Sequence, residues 1–473
     1  MTLSPAAASA RGEDGPGPLP WRVGGRVGFT VDAAAFPDSA GHRLEVYVRI
    51  PPATVVNLVR DVEGDARVRL LIRLKNSFGA RQHEASQEFT VPAEDSAIGF
   101  GKVVMLPFPV RPGGYRLAVR LEDLQSRRRG IAYVGRKVAQ SSGVEGELEV
   151  PGERLGRELS DIEFVWHETT EPDAGAFRRG QHAFLPNPER LYGLFENHVR
   201  IAFVARATGG EPRPWRWKAR VIDAHGTVVA AADSSATPSS RLAETASLDL
   251  ATEPAGGYDL ELKVWQEGDS LALTRVRHFS IAWEKNSWER SPADLEDVVH
   301  FLLSTDDEEE FARKHPGEQE RYLSDFWRER DPTPDTAENE VRTAFMQRVD
   351  AANRNFGRFG LDKGMFSDMG RTLIRYGEPD EVLRQVIPAG DENLSRAIVE
   401  LELSEDRPTG DVHQKGPGGD TRAFEVWIYE GDARGDASAN LNSALLPRPR
   451  RRVVFLFVDE QGYGDYTLRY STE

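Results

Sequence analysis

Leu44-Glu45-Val46-Tyr47-Val48-Arg49-Ile50 alternates apolar with polar residues, and this period of two returns in short segments up to Trp283. Such alternation is the mark of strands with one face in a core and the other towards water. Val68–Leu74, Gln87–Val91, Val103–Phe108 and Tyr115–Leu121 follow, divided by Gly, Pro and Asp turns. Several short strands without helical periods predict an all-β sandwich over 21–151, behind a disordered tail at 1–20. A second set, Val199–Ala205, Trp215–Ile222, Ala246–Leu250, Tyr258–Trp265 and Val276–Ala282, predicts another sandwich over 160–283. The boundary is expected in the polar stretch Gly152–Asp161. One phrase recurs: Pro112-Gly113-Gly114-Tyr115 and Ala255-Gly256-Gly257-Tyr258 each feed an alternating strand, as expected of two similar sandwiches.

Beyond Trp283 the period becomes helical. Ser291-Pro292 supplies an N-cap and a first-turn proline, and Thr305-Asp306-Asp307-Glu308 reads as a capping box. Over 317–330 the side chains Tyr322, Leu323, Phe326 and Trp327 share a helix face. Over 336–356, with Thr336 as N-cap, Val341, Phe345, Val349, Ala352 and Phe356 do the same. Strands are predicted at Thr372–Tyr376, Phe424–Tyr429, Val453–Val458 and Tyr466–Tyr470, with 388–422 as an irregular insertion. The expected fold is therefore multidomain: two Ig-like all-β sandwiches, then an α+β domain over 288–473 with helices followed by a small antiparallel sheet.

Composition excludes several functions. The chain has no cysteine, so disulfides, thiolate nucleophiles and Cys-based zinc or iron–sulfur sites are ruled out. A formal net charge of −16 repels nucleic acid at long range, and no nucleic-acid partner is expected. The runs Arg127–Arg129 and Arg450–Arg452 lack interleaved aromatics and read as solvated loops or edges. No stretch approaches 18 consecutive apolar residues, so no transmembrane helix is expected. Met1–Ala10 reads either as a disordered cytoplasmic tail or as the remnant of a signal peptide whose n- and h-regions lie upstream of a late-called start. The histidines form no pair at helical metal-ligand spacing, His300 and His315 being as near as any two come, and His413 stands alone in the insertion. No G-x-S-x-G, Walker or HExxH motif occurs, and Arg434-Gly435-Asp436 reads as a chance tripeptide. Neither a cofactor nor a metal is expected.

Phe326-Trp327-Arg328-Glu329-Arg330-Asp331-Pro332-Thr333-Pro334, then Asn339-Glu340, resembles the FWxxRDPTP…NE signature of the GWxTD domain of bacterial proteins. Arg348, Ala352-Asn353, Phe356, Gly370-Arg371, Tyr376–Glu381, Glu425–Tyr429 and Asp459–Tyr466 continue the resemblance over 292–470. The naming motif departs from the family: Gly364-Met365-Phe366-Ser367-Asp368 has Met where the family has Trp. That Trp is either a stacking platform for a ligand, which Met365 would not supply, or a core plug, which it would. The resemblance implies export in many cases, hence a periplasmic or envelope location, and implies no established reaction. If the N-terminus is complete as given, the location expected is the cytoplasm.

The candidate polar cluster is Arg328, Arg330, Asp331, Asn339, Glu340, Arg348, Asp368 and Arg371. Arginines among carboxylates orient an anionic group bidentately, or else fix helices by ion pairs and caps; the second reading is preferred. Asp368 is expected to accept N–H bonds within Gly364–Gly370, and Arg371 to reach Glu340, so that removing Arg371 would cost about 3–5 kcal/mol. The function expected is a non-catalytic binding or scaffold protein with a protein partner; a small-molecule ligand is left open. The alternative is a hydrolase or transferase acting on an anionic or glycan substrate, with Asp331, Glu340 and Asp368 as acid and base.

Overall fold

The computed structural model describes residues 17–473 apart from 39–40, 78–81, 97–99, 127–138, 155, 169–177, 180–181, 290–296, 337, 358–362, 386–421, 432–450, 461 and 463. The fold is mostly antiparallel β, with helices towards the C-terminus. Two compact units divide the chain, Met1–Tyr322 and Leu323–Glu473.

Eight strands come first: Trp21–Val23 (β1), Phe29–Asp38 (β2), Gly41–Ile50 (β3), Ala66–Asn76 (β4), Gln82–Val91 (β5), Lys102–Val110 (β6), Gly113–Asp123 (β7) and Gln140–Val150 (β8). They form two antiparallel sheets, β1-β2-β3-β6 and β5-β4-β7-β8. Val46, Val48, Leu70, Ile72, Val119 and Leu121 meet between them in one apolar core. The next sandwich comprises Arg157–Leu159 (β9), Glu163–Glu168 (β10), Arg178–Arg179 (β11), His182–Pro186 (β12), Leu191–Gly193 (β13), His198–Ala207 (β14), Arg213–Ile222 (β15), Val228–Ser239 (β16), Arg241–Asp249 (β17), Gly256–Gln266 (β18) and Leu273–Ala282 (β19). Its sheets run β11-β12-β10-β14-β17 and β13-β19-β18-β15-β16, with β9 beside β14 and β13 parallel to β19. Phe203, Trp215, Val221, Leu260 and Phe279 belong to its separate core.

The recurring Gly-Gly-Tyr phrase has a physical cause. The Tyr115 hydroxyl donates back to Arg111 O at 3.0 Å, and the Tyr258 hydroxyl to Pro254 O at 2.8 Å. Each tyrosine ties the bend to the strand that follows, as in the corner of Greek-key sandwiches. Strands β1, β2, β8–β13 and β16 are additional to the sequence expectation. Ala33-Ala34-Ala35 in β2 and the Ala/Ser/Asp run of β16 have poor strand propensity, and pairing on neighbouring strands overrides it.

Within the first unit the two sandwiches meet across a buried polar layer. Arg190 grips Asp32 through Nε (2.8 Å) and Nη2 (2.6 Å). Arg49 pairs with Glu189, which also accepts from Thr30 Oγ1 at 3.1 Å. Asp161 accepts the Ala35 N–H through its side chain and returns its own N–H to Ala35 O. The Tyr47 hydroxyl lies 2.6 Å from Glu45 and 3.1 Å from Glu163. Ala34, Phe36, Met105 and Val204 surround this layer with apolar surface.

The helices are Pro52–Asn57 (α1), Lys285–Glu289 (α2), Thr305–Arg313 (α3), Pro316–Arg328 (α4), Glu340–Phe356 (α5) and Asp368–Tyr376 (α6). The division between units falls inside α4. Ser304, one residue before the expected box, caps α3: its hydroxyl accepts the Asp307 N–H and donates to the Asp307 carboxylate at 2.7 Å. Ser291-Pro292 lies outside the described residues.

In the second unit Glu381–Gln385 (β20), Phe424–Tyr429 (β21), Val453–Asp459 (β22) and Tyr466–Ser471 (β23) form one antiparallel sheet in that order. The central strands β21 and β22 are buried throughout, as their continuous apolar runs require. One face carries Phe356 against Trp427 (5.8 Å between ring centres) and Tyr376 against Tyr429 (5.5 Å). Two expectations are corrected. The segment 372–376 is the second half of helix α6, because Met369, Thr372, Leu373 and Tyr376 fall on one buried helical face. Asn339, not Thr336, caps α5, since its Oδ1 accepts the Arg342 N–H at 2.8 Å.

Candidate functional site

The eight polar residues of the candidate cluster are placed by local backbone demands. Arg328 ends α4 and pairs on the surface with Asp325 at 2.5 Å. The Arg330 guanidinium lies 3.7 Å from the centre of the Phe326 ring and donates to Phe326 O. Asp331 accepts the Thr333 N–H at 3.0 Å, a side-chain-closed turn that starts the rigid Pro-Thr-Pro connector. Asn339 caps α5 with its oxygen and gives its amide to Trp327 O at 2.7 Å, binding the start of one helix to the end of another. Thr333 Oγ1 donates to Glu340 at 2.6 Å. That bond holds the Glu340 carboxyl below the usual range.

Arg348 projects from α5 to the carbonyl end of α6, donating to Ile374 O (3.2 Å) and Arg375 O (3.1 Å), where a cation is favoured by the helix dipole. Gly377, at φ +82°, terminates α6 beside it; the turn expected between two strands joins helix to strand instead. Asp368 does not bond within Gly364–Gly370. Ser367 caps α6, and Asp368 accepts the Leu468 N–H of β23 at 2.8 Å. Arg371 is exposed and makes no side-chain hydrogen bond or ion pair among the described residues, so the expected bond to Glu340 is absent and its cost falls away. Asp331 and Glu340 thus meet at Thr333, while Asp368 serves a different strand. Each carboxylate is engaged by an N–H or hydroxyl.

The segment Gly364–Asp368 turns Met365 inward. Met365 is 1% exposed, and its N–H donates to Asn353 Oδ1 at 3.0 Å. Both flanking glycines are required by close approach. A Cβ on Gly364 would stand 2.3 Å from Ala352 O, and one on Gly370 would stand 2.0 Å from Gly364 O. At the last hairpin, Asp459 accepts the Gly462 and Gly464 N–H groups at 2.8 and 2.7 Å, both glycines having positive φ.

Behind these motifs lies a cavity of about 660 Å³, bounded by the end of α5, by α6 and by the sheet. Phe356, Met369, Leu373 and Trp427 supply its apolar lining; Arg354, Glu378, Arg384, Glu425 and Tyr466 supply the polar part. The Glu425 carboxylate is satisfied on both oxygens, by Arg384 at 2.9 Å and by the Trp427 indole N–H at 3.1 Å. Burial, then the Glu425 charge, pushes the Tyr466 phenol up, which keeps it protonated. Arg354 is exposed in the last turn of α5 and makes no side-chain hydrogen bond or ion pair among the described residues. Sequence reasoning missed this set because its members come from separate elements; the single charge, Glu425, inside the otherwise apolar strand Phe424–Tyr429 was a visible signal.

No protein-family model and no curated protein matches the chain. Solved structures to which it is similar include a red sea bream transglutaminase, at 9% identity, 54% of this chain, 31% of that one and a TM-score of 0.15. A DUF3823 family protein from Bacteroides ovatus gives 10% identity, 48% and 92% coverage and a TM-score of 0.18. A glycosyl hydrolase family 2 member from Bacteroides cellulosilyticus gives 13%, 54%, 29% and 0.18. The chain thus spans about a third of the length of the transglutaminase and of the hydrolase. No helix among the described residues is long and apolar enough to cross a membrane.

The Glu340 bond has a pH signature. A carboxyl held low in the folded state contributes stability above its unfolded value, and that contribution is lost as pH falls. The thermal midpoint of the second unit is expected to drop below about pH 4.5, near the ordinary Glu value, and Glu340→Gln to flatten that drop. An unchanged pH profile in Glu340→Gln would show that the Thr333 bond contributes nothing.

Proposed function

We propose that the chain is a non-catalytic binding or scaffold protein of the bacterial cell envelope, with a GWxTD-type domain at its C-terminal end. The supporting observation is how the signature residues are used. Caps, a turn, a strand clamp and a helix-end cation account for most of them, so the carboxylates serve as acceptors for backbone and hydroxyl donors. Met365 in the core favours the plug reading of the motif over the platform reading. The cavity at the end of α5 is the docking point for the partner. It combines an apolar lining, a protonated phenol and the Arg354 guanidinium, groups suited to a protein segment carrying a carboxylate.

The test uses the full chain, immobilised against envelope and cytosolic fractions of its source organism, with Arg354→Glu as the comparison. Retention of an envelope protein by the wild type, reduced at least about tenfold in Arg354→Glu, is the expected result. Equal retention by both proteins would remove the cavity from the proposal. Turnover of nitrophenyl glycosides or phosphate esters that is lost in Glu340→Gln would replace it with the hydrolase reading.

A further inference from the structure

Helix α4 begins against strands β18 and β19 of the second sandwich, and two histidines and a glutamate meet there. His278 lies on β19; His315 immediately precedes α4, and Glu318 is in its first turn. One ligand atom from each of the three lies within 4.8 Å of the others. The two imidazole rings are 4.6 Å apart between centres, tilted by 39°. The His315 backbone N–H donates to Glu318 Oε2 at 2.8 Å and fixes that carboxylate, whose Oε1 faces His278 Nε2 at 3.7 Å.

Three further observations point to a ligand. His278 Nε2 is buried and has no hydrogen-bond partner among the described residues, although a buried polar atom normally has one. The other nitrogen of the ring, Nδ1, stands 3.2 Å from the Asp259 carboxylate. A proton on Nδ1 leaves the Nε2 lone pair free and oriented, which is the carboxylate–histidine arrangement found behind metal ligands. Room for the group is built into the backbone. A Cβ on Gly257 would stand 2.5 Å from Glu318 Oε1 and 2.8 Å from His278 Cε1. Gly317 is pressed as tightly, its virtual Cβ falling 2.1 Å from Ile281 O, so a side chain there would push the helix start away from the strands.

We propose that His278, His315 and Glu318 bind one divalent first-row transition cation, of which zinc is the best fit, with Asp259 as the positioning residue behind His278. Two imidazoles and a carboxylate are borderline ligands that suit zinc, whereas calcium and magnesium prefer all-oxygen sets. Three protein ligands leave a fourth position to water. The Arg22 guanidinium stands beside His315, donating to Lys314 O. The same Arg22 charge opposes a cation; the Glu318 and Asp259 carboxylates offset it. Neither histidine is found by motif search, because the ligands come from a strand and a distant helix start.

The full chain, stripped with a chelator and dialysed, is titrated with zinc chloride and separately with cobalt(II) chloride. One equivalent of zinc is expected, with a Kd of about 1 µM or tighter. Cobalt is expected to give the intense visible absorption of a four- or five-coordinate ion. His278→Gln, Glu318→Gln and Asp259→Asn should each weaken binding by about 10–100-fold. His83→Gln, on β5 and outside the site, should leave it unchanged. A wild-type Kd weaker than about 100 µM, or a cobalt spectrum of the pale octahedral type, overturns the site whatever the variants do. Tight binding that persists in a folded His278→Gln protein overturns it as well. Should His278→Gln fail to fold, Glu318→Gln and Asp259→Asn carry the same comparison.

Discussion

Arg190→Ala is expected to destabilise the full chain by about 3–5 kcal/mol, because it leaves the Asp32 carboxylate buried without its partner. Asp32 would retain one backbone bond, from the Ala33 N–H at 2.8 Å, which does not replace a bidentate guanidinium. Burial already pushes the Asp32 carboxyl up against the opposing pull of Arg190, so loss of the arginine removes the main force keeping it ionised. Two companion variants sharpen the expectation. Replacing both partners by apolar side chains of similar volume, Asp32→Leu with Arg190→Met, should recover most of the loss. Arg190 also holds φ at +51°, a conformation that costs a non-glycine residue about 1–2 kcal/mol, so Arg190→Gly should be milder than Arg190→Ala. Urea unfolding followed by tryptophan fluorescence measures all three. A loss below about 1 kcal/mol for Arg190→Ala would mean the pair behaves as a solvated one.

Gly370→Ala should be the most damaging small substitution in the second unit. Its Cβ would sit 2.0 Å from Gly364 O, and the obstacle is backbone rather than a side chain that could swing away. Overpacking of this kind costs about 1–3 kcal/mol and occasionally more, and here the first turn of α6 must part from the turn carrying Met365. Arg371→Ala, one residue along but on the exposed face, should stay within about 0.5 kcal/mol of the wild type. Thermal melts of the two full-length variants provide the comparison. Equal midpoints would show that the Gly364–Gly370 contact relaxes freely.

Much of the β architecture was legible because alternation is a local property: β3, β4, β7, β15 and β18 each show it in their own residues. Strands β2 and β16 were not legible, since their alanines and serines become strand only by pairing. The segment 372–376 misled because Thr-Leu-Ile-Arg-Tyr suits a strand by composition, and its helical partner Met369 sits just upstream of the window. The eight polar residues were legible as a group, and their roles were not. Whether an aspartate caps its own helix or clamps a distant strand depends on where β23 runs, which no local pattern records. For the same reason the cavity and the histidine pair stayed hidden: each assembles residues from elements far apart in sequence.

The joint between the two sandwiches has a mechanical consequence. Apolar surfaces can slide over one another at small cost, since one methyl neighbour serves nearly as well as the next. The pairs Asp32–Arg190 and Arg49–Glu189 and the two hydrogen bonds between Ala35 and Asp161 resist such slippage, because a shift of a few ångströms would separate every charge from its mate at once. The sandwiches therefore cannot articulate like beads on a string. They are held as one body, and a load on one sandwich is borne by the buried pairs of the joint.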